Sequence, residues 1–322
     1  GLDELAQASA LAQRLGLEHH VLSIDETSLS ALEDLSSFID EPIADSSLIP
    51  SFLVSRLARP HITVALGGDG GDEVFGGYPY YAQSQRGTIC QSPLGMLGLM
   101  LTGRLASHLP VGIRGRRRLM SLSGGPHEQN IWGRVYFDPV ARRRLLTDES
   151  LHALGAQFDD PEHLLVAAHK GSDPVDRMIR ADIRTVLPDN YLVKVDRASM
   201  ANSLEVRLPF LDKDLLEFAF TNIPSNWKAT AHETRRIERV LARKMLPPEI
   251  TFEQKKGFSI PMDTWLKQNI DTVWGLLGGL PSAIDSEAVQ SLIVGQGNGR
   301  NNAGRIFALI MLATSMRNNG WT

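Results

Sequence analysis

Residues 64–81, VALGGDGGDEVFGGYPYY, limit what this chain can fold into more than any other segment. Gly67, Gly68, Gly70 and Gly71 surround Asp69 and precede Asp72, directly after the β-branched run HITVAL. Glycine at that density weakens strand and helix alike, so it marks a sharp backbone turn or a close approach. Residues 61–66 are mostly apolar, contain Ile62, Thr63 and Val64, and lie between Pro60 and the glycines, which predicts a short buried strand. A helix is expected to begin near Glu73. Unpaired backbone N–H groups at a helix start suit a phosphate or another anion. Asp69, Asp72 and Glu73 would repel it, unless Mg²⁺, which takes one or two carboxylates plus phosphate oxygens, bridges them. An ordinary glycine- and aspartate-rich loop between strand and helix accounts for the same residues. Spacing alone leaves both readings open.

The 322 residues carry a net charge of −4, with 43% hydrophobic and 22% charged residues, an ordinary soluble globular composition. At roughly 150 residues per unit, the length suggests about two units. The mild acidity carries no electrostatic footprint for nucleic acid or membrane. Cys90 is the sole cysteine, so the chain forms no internal disulfide, which fits a reducing compartment. No base is paired with it in the sequence, and it reads as a packing residue rather than a nucleophile. Residues 92–101, SPLGMLGLML, are apolar but fall short of the about 20 residues a bilayer span needs, and predict a buried helix. The chain begins at Gly1 with neither Met nor a charged-then-apolar leader, and is expected to be a piece of a longer protein.

Helix formers over 2–15, with Gly16 as a stop, predict a first helix. A strand over 19–24, a helix over 28–39, a polar loop over 40–47 and a helix over 49–59 then lead into the strand before the glycines. This alternation favours a parallel sheet. Beyond Ala82 the strand signals fade and the chain reads as mostly helical, with RGRRRL (114–119) and ARRRLL (141–146) as solvated helix faces. Two strands alone are marginal, so further strands are expected upstream of Gly1.

Two other segments are dense in charge. In LPDNYLVKVDRASMANSLEVRLPFLD (187–212), residues 191–200 read as a helix with Lys194 and Arg197 on one face. Buried charges must be paired, so Asp196, Arg197, Glu205 and Arg207 are expected to form a structural ion network, with Lys194 having fewer obvious partners. In EQKKGFSIP (253–261), Lys255 precedes Gly257. A lysine there can meet a phosphate as a point charge, on a loop able to close over a substrate, although Lys-Lys-Gly is also common on surfaces.

In this order, LGGDGGDEVFGGYPYY, LPDNYLVKVDRASMANSLEVRLPFLD and EQKKGFSIPMDTWL resemble the synthetase domain of asparagine synthetases, and DEPIADSSLIPSFLVSRLA does so too. The resemblance spans nearly the whole chain. It implies an α/β fold of the adenine nucleotide α-hydrolase (ATP pyrophosphatase) type. One domain, 1–322, would hold an α/β nucleotide-binding part (1–82) and a mostly helical part (83–322). It also implies a cytoplasmic ATP-dependent carbon–nitrogen ligase. Mg-ATP activates the side-chain carboxylate of aspartate as β-aspartyl-AMP, pyrophosphate leaves, and ammonia attacks to give asparagine and AMP. The glycine loop, Gly67, Gly68, Gly70 and Gly71, would lie against ATP. Asp69 would act at the acyl-adenylate as the proton acceptor for ammonia, Asp72 and Glu73 would hold Mg²⁺, and Lys255 and Arg235 would meet the phosphates.

The chain departs from the family pattern at several points. Gly67 replaces a serine, Asp69 is one methylene shorter than the usual glutamate, and Glu253 stands where an arginine is common. The family's Ser-Gly-Gly-x-Asp-Ser pyrophosphate loop is absent, as is the glutaminase domain with its N-terminal cysteine, which Cys90 cannot replace. The resemblance therefore implies a domain incomplete at its N-terminus, with that loop upstream in the parent protein. Such a chain alone should bind ATP poorly and make no asparagine from glutamine, and is expected either to pair its sheet edge with a second copy as a homo-oligomer or to leave its glycine loop disordered. Two alternatives remain. A β-lactam synthetase-like ligase closes a ring with an internal amine but favours Tyr at position 69, so Asp69 argues for ammonia. A catalytically incomplete fragment would only associate with partners.

Overall fold

A computed structural model describes residues 5–21, 31–85, 93–122, 135–155, 171–246 and 261–321. It is a mostly helical α/β structure with one small parallel sheet. Of the β-branched run, only Val64–Leu66 (β1) is a strand; residues 61–63 form a turn and its exit. The partner of β1 is Glu205–Arg207 (β2), in parallel register with Val64 opposite Glu205 and Leu66 opposite Arg207. The Glu205 N–H donates to the Thr63 carbonyl (3.0 Å) and the Gly67 N–H to the Arg207 carbonyl (2.8 Å). The pairing thus continues into the first glycine and sets the glycine loop beside the turn that follows β2.

This sheet corrects several expectations. β2 lies in the part expected to be helical, so one sheet ties the segment before Ala82 to the segment after it. β1 is not buried: Val64 and Leu66 are 49% and 76% exposed, because the two short strands are not sandwiched in the helical core. The strand expected over 19–24 does not form over its described part, where residues 17–21 are irregular and His20 stacks on His61 at 5.1 Å; residues 22–24 lie outside the described residues.

The main core is helical. Helix Ala303–Asn319 buries Ile306, Phe307, Leu309, Ile310, Met311 and Ala313, so that it is enclosed on more than one face. Helices Met262–Gln268, Ile270–Leu277 and Ser286–Gly297 pack around it. Helix Leu48–Ala58 packs on Val193–Met200 and extends the same core through Leu48, Ile49 and Phe52. Within the described residues the first expected helix runs Leu5–Leu15 and the second Ala31–Ser36, ending short of residue 39; residues 2–4 and 28–30 of the two expected helices lie outside the described residues. Residues 93–101 belong to helix Pro93–His108, yet Leu97, Met100 and Leu101 are each more than half exposed, so over its described side chains this segment is not the buried helix expected; residue 92 lies outside the described residues. Within RGRRRL, Arg116 is not on a solvated face. It is 1% exposed and ion-paired to Asp138. ARRRLL follows the expectation in part, with Arg143 and Arg144 outward, while Arg142 is half-buried and Ala141 and Leu145 are buried. Cys90 lies outside the described residues. No helix among the described residues is long and apolar enough to cross a membrane.

Candidate active site around the glycine loop

The density of glycine has a steric cause in the turn after β2. A Cβ on Gly67 would stand 2.7 Å from Leu208 Cδ2, and one on Gly71 would stand 3.1 Å from the Phe210 ring. Gly70 has φ +90°, a left-handed conformation that disfavours side chains, and a Cβ there would overlap Leu211. These three glycines let the loop lie directly on residues 208–211. Gly68 differs, with nothing within 4 Å of its missing side chain, so its backbone is open to an incoming group. The helix expected near Glu73 is a single turn, Gly71–Phe75.

The three loop acids occupy different environments. Asp72 is buried, and Arg235 Nε donates to its Oδ1 at 2.6 Å, with Nη2 on the same oxygen. Arg235 itself adopts a left-handed backbone (φ +50°) just before helix Arg236–Met245, and its Nε lies 3.9 Å from Glu238 Oε2. Burial pushes the Glu238 carboxyl up to about 7. Glu73 is 1% exposed and accepts a 2.6 Å hydrogen bond from the Tyr78 hydroxyl. Burial raises its pKa despite that bond, and the Asp182 and Asp69 carboxylates add to the rise. Asp69 alone is partly exposed, and no hydrogen bond or ion pair reaches it among the described residues.

The Asp72–Arg235 contact requires Gly77, where a Cβ would overlap the Asp72 carboxylate and stand 2.7 Å from Arg235 Nε. Gly77→Ala is therefore expected to cost about 1–3 kcal/mol by overpacking. A lower urea unfolding midpoint at unchanged slope checks this; an unmoved midpoint would show that the pair does not depend on this approach.

Other functional candidates were not evident from spacing. Tyr80 and Tyr81 both donate to Asp182 Oδ2, at 2.9 and 2.5 Å, and Tyr78 stacks on Tyr80 at 5.1 Å and lies 6.2 Å from the ring of Tyr191. The YPYY sequence was visible, but its partners lie a hundred residues away. Lys194 does have partners: its Nζ donates to Asp45 Oδ2 (3.0 Å) and Ser47 Oγ (2.8 Å). Burial would raise the Asp45 carboxyl, but the Lys194 charge and the Ser47 bonds outweigh it and hold it below the usual range. The expected four-residue network divides. Arg197 pairs with Asp40 (2.7 Å) and Asp196 (2.9 Å), and Arg207 pairs separately with Glu205. Lys255 and Glu253 lie outside the described residues.

Asp72 and Glu73, as arranged, do not fit a magnesium site. A hard dication needs accessible, ionised carboxylates. Here one carboxylate is taken by a guanidinium and the other is enclosed and bonded to a phenol, with its pKa raised by burial. Among the described residues no group of three or more His, Cys, Asp or Glu is placed to hold a metal ion.

A profile of the asparagine synthase family matches residues 1–316. A protein of Mycobacterium tuberculosis, named provisionally as a glutamine-hydrolysing asparagine synthetase, is 34% identical over 272 residues, 83% of this chain and 40% of that protein. The glutamine-hydrolysing asparagine synthetase 1 of Bacillus subtilis is 30% identical over 274 residues, covering 84% of this chain and 42% of its own length. Amidase chry2 of Gibberella zeae is more distant, at 23% over 299 residues, 82% of this chain and 42% of the amidase. The chain thus spans 40–42% of the length of these relatives.

Proposed function

The chain belongs to the asparagine synthase family, and from that premise we propose that its glycine loop serves the ATP-dependent conversion of aspartate to asparagine through β-aspartyl-AMP. The observation that supports this best is the tip of the loop. There the open backbone of Gly68 stands beside Asp69, a carboxylate without a protein partner among the described residues. In this reading the fold is of the ATP pyrophosphatase type, and the aspartate side-chain carboxylate attacks the α-phosphorus of ATP. Pyrophosphate leaves with the electron pair of the broken P–O bond. Ammonia then attacks the acyl carbon, AMP leaves, and Asp69 takes the proton that nitrogen must lose. The ammonia comes from glutamine hydrolysed outside this chain, as the names of its relatives suggest.

The charge problem at the loop is met by Arg235. Its guanidinium, 40% exposed, is held beside the glycines by Asp72, so that a cation rather than a bare acid borders the phosphates. We assign Lys255 to the phosphates on sequence alone. No step is assigned to Mg²⁺, because Asp72 and Glu73 do not suit it as arranged.

The test is exchange of labelled pyrophosphate into ATP by the protein in its full encoded length. Exchange should require aspartate, and ammonium should then yield asparagine and AMP in equal amounts. Exchange that ignores aspartate would overturn the reading. In the same assay Lys255→Ala should raise the barrier by about 2–4 kcal/mol through kcat, with KM for aspartate nearly unchanged, as removal of a contact made in the transition state does. A rise in KM alone would make Lys255 a binding residue only.

A further inference from the structure

The densest group of cations lies away from the glycine loop. A cavity of about 760 Å³ is lined by Arg114, Arg116, Arg117, Arg300 and Arg305, with Asp263 as the acid in its wall. None of residues 67–73 lines it. Asp263 is already held by Lys267 (3.2 Å) and Gln296. Arg116 is matched by Asp138. Among the described residues, no ion pair reaches Arg114, Arg117, Arg300 or Arg305. Five guanidinium groups thus gather, in a protein of net charge −4, around space whose wall holds, among the described residues, Asp263 as its one acid.

A solvated basic face would leave these side chains in water. Arg305 is only 2% exposed. Its Nη1 donates to the Asn301 carbonyl (2.9 Å) and to Asn302 Oδ1 (3.4 Å), while its Nε is buried with no acceptor among the described residues. Burial, together with the nearby Arg117 and Arg116 charges, outweighs the opposing charge of Asp138 and pushes Arg305 down to about 10. Burial likewise lowers Arg117. A buried cation with an unmet donor is costly, and an anion that supplies both charge and acceptor removes that cost. The walls are fixed by the backbone. Gly112, at φ +88°, brings its carbonyl to accept from the Asn301 N–H at 2.8 Å, and a Cβ on it would stand 3.0 Å from Arg300 Cβ.

We propose that this cavity binds a small molecule bearing a phosphate or pyrophosphate group, at a site separate from the glycine loop. Forked guanidinium donors match phosphate oxygens in pairs, and several surplus positive charges call for more than the single charge of a carboxylate. The volume lies within the range of about 300–1,000 Å³ typical of small-molecule sites. The overall acidity argues against a nucleic acid.

Isothermal titration of the full chain with inorganic pyrophosphate, inorganic phosphate and glycerol 3-phosphate, at matched ionic strength in chloride, tests the proposal. At least one of the three should bind, and affinity should fall as chloride rises. Tighter binding of pyrophosphate identifies a free inorganic anion as the ligand; tighter binding of glycerol 3-phosphate identifies a phosphorylated metabolite. The double variant Arg114→Gln/Arg300→Gln, at exposed and half-buried positions, should weaken binding at least tenfold, while Arg144→Gln, at an exposed position that does not line the cavity, leaves it within twofold. No binding of any of the three overturns the proposal. So does loss confined to Arg144→Gln, or indifference to the double variant.

Discussion

Asp138→Ala should cost about 3–5 kcal/mol of folding stability, because it leaves a buried guanidinium without its counter-ion. Arg116 and Asp138 are exposed by 1% or less at their side chains. Their contact is forked, with Nη2 3.2 Å from Oδ1 and Nη1 on Oδ2. The same carboxylate accepts the Ala141 N–H at 3.0 Å and so caps helix Pro139–Leu145, with proline in the first turn as helix starts favour. Loss of a cap alone costs about 1 kcal/mol. The two losses share one side chain and need not add. Asp138→Asn keeps the cap acceptor but not the charge, so it should fall short of Asp138→Ala by roughly the cap's share. Arg116→Met combined with Asp138→Asn should recover stability over Asp138→Asn alone, since no charge is then left buried. A double variant no more stable than the single would sink the argument. The pH dependence has a definite sign. Burial would raise Asp138, but the Arg116 hydrogen bond and charge outweigh it and hold the carboxyl below 3.8. The pair's contribution is therefore present above the usual carboxylate range, and is lost as pH falls through the lower pKa of the folded state.

The glycine loop was legible because its constraint is local. Glycine and acid at fixed offsets after a β-branched run predict a turn and a candidate site without knowledge of the rest of the chain. What occupies the missing side-chain volumes was not legible, since Leu208, Phe210 and Leu211 come from the turn after β2. β2 itself is only Glu-Val-Arg, too short and too charged to show a period of two. Lys194 looked poorly partnered because its acid, Asp45, lies 149 residues away in sequence. RGRRRL read as a solvated run because composition cannot say which arginine turns inward; Asp138 decides that. Helix Pro93–His108 erred in the other direction, since an apolar run does not ensure that something covers it. The family itself was carried by long composite motifs, which persist where pairing and burial cannot be read.

Asp69→Asn should separate the two chemical steps. In the protein of full encoded length, aspartate-dependent pyrophosphate exchange should persist within a few-fold, while asparagine formation from ammonium falls by about 10²–10⁴, the usual contribution of a positioned base. The assignment rests on what each loop acid already does. Asp72 is bonded to Arg235, and protonating it would release that cation from its place beside the glycine loop. Glu73 is enclosed, 1% exposed and already bonded to Tyr78, so an incoming nucleophile does not reach its carboxylate. Asp69 is partly exposed and has no protein partner among the described residues, so it can meet a nucleophile that arrives from solvent or a neighbouring site. Asparagine matches its size and polarity but cannot take the proton. Adenylation breaks a P–O bond and needs no proton acceptor for nitrogen, whereas attack by ammonia does. Equal loss of exchange and synthesis would move Asp69 to the adenylation step, and unchanged synthesis would remove it from the chemistry altogether. The Glu73 carboxyl supplies an internal check, because the charge of Asp69 contributes to its rise. Its titration in Asp69→Asn should shift downward by that lost charge yet stay above the usual carboxylate range, because burial is the larger cause of its rise; a return to the usual range would report exposure of Glu73 by a displaced loop rather than a lost base.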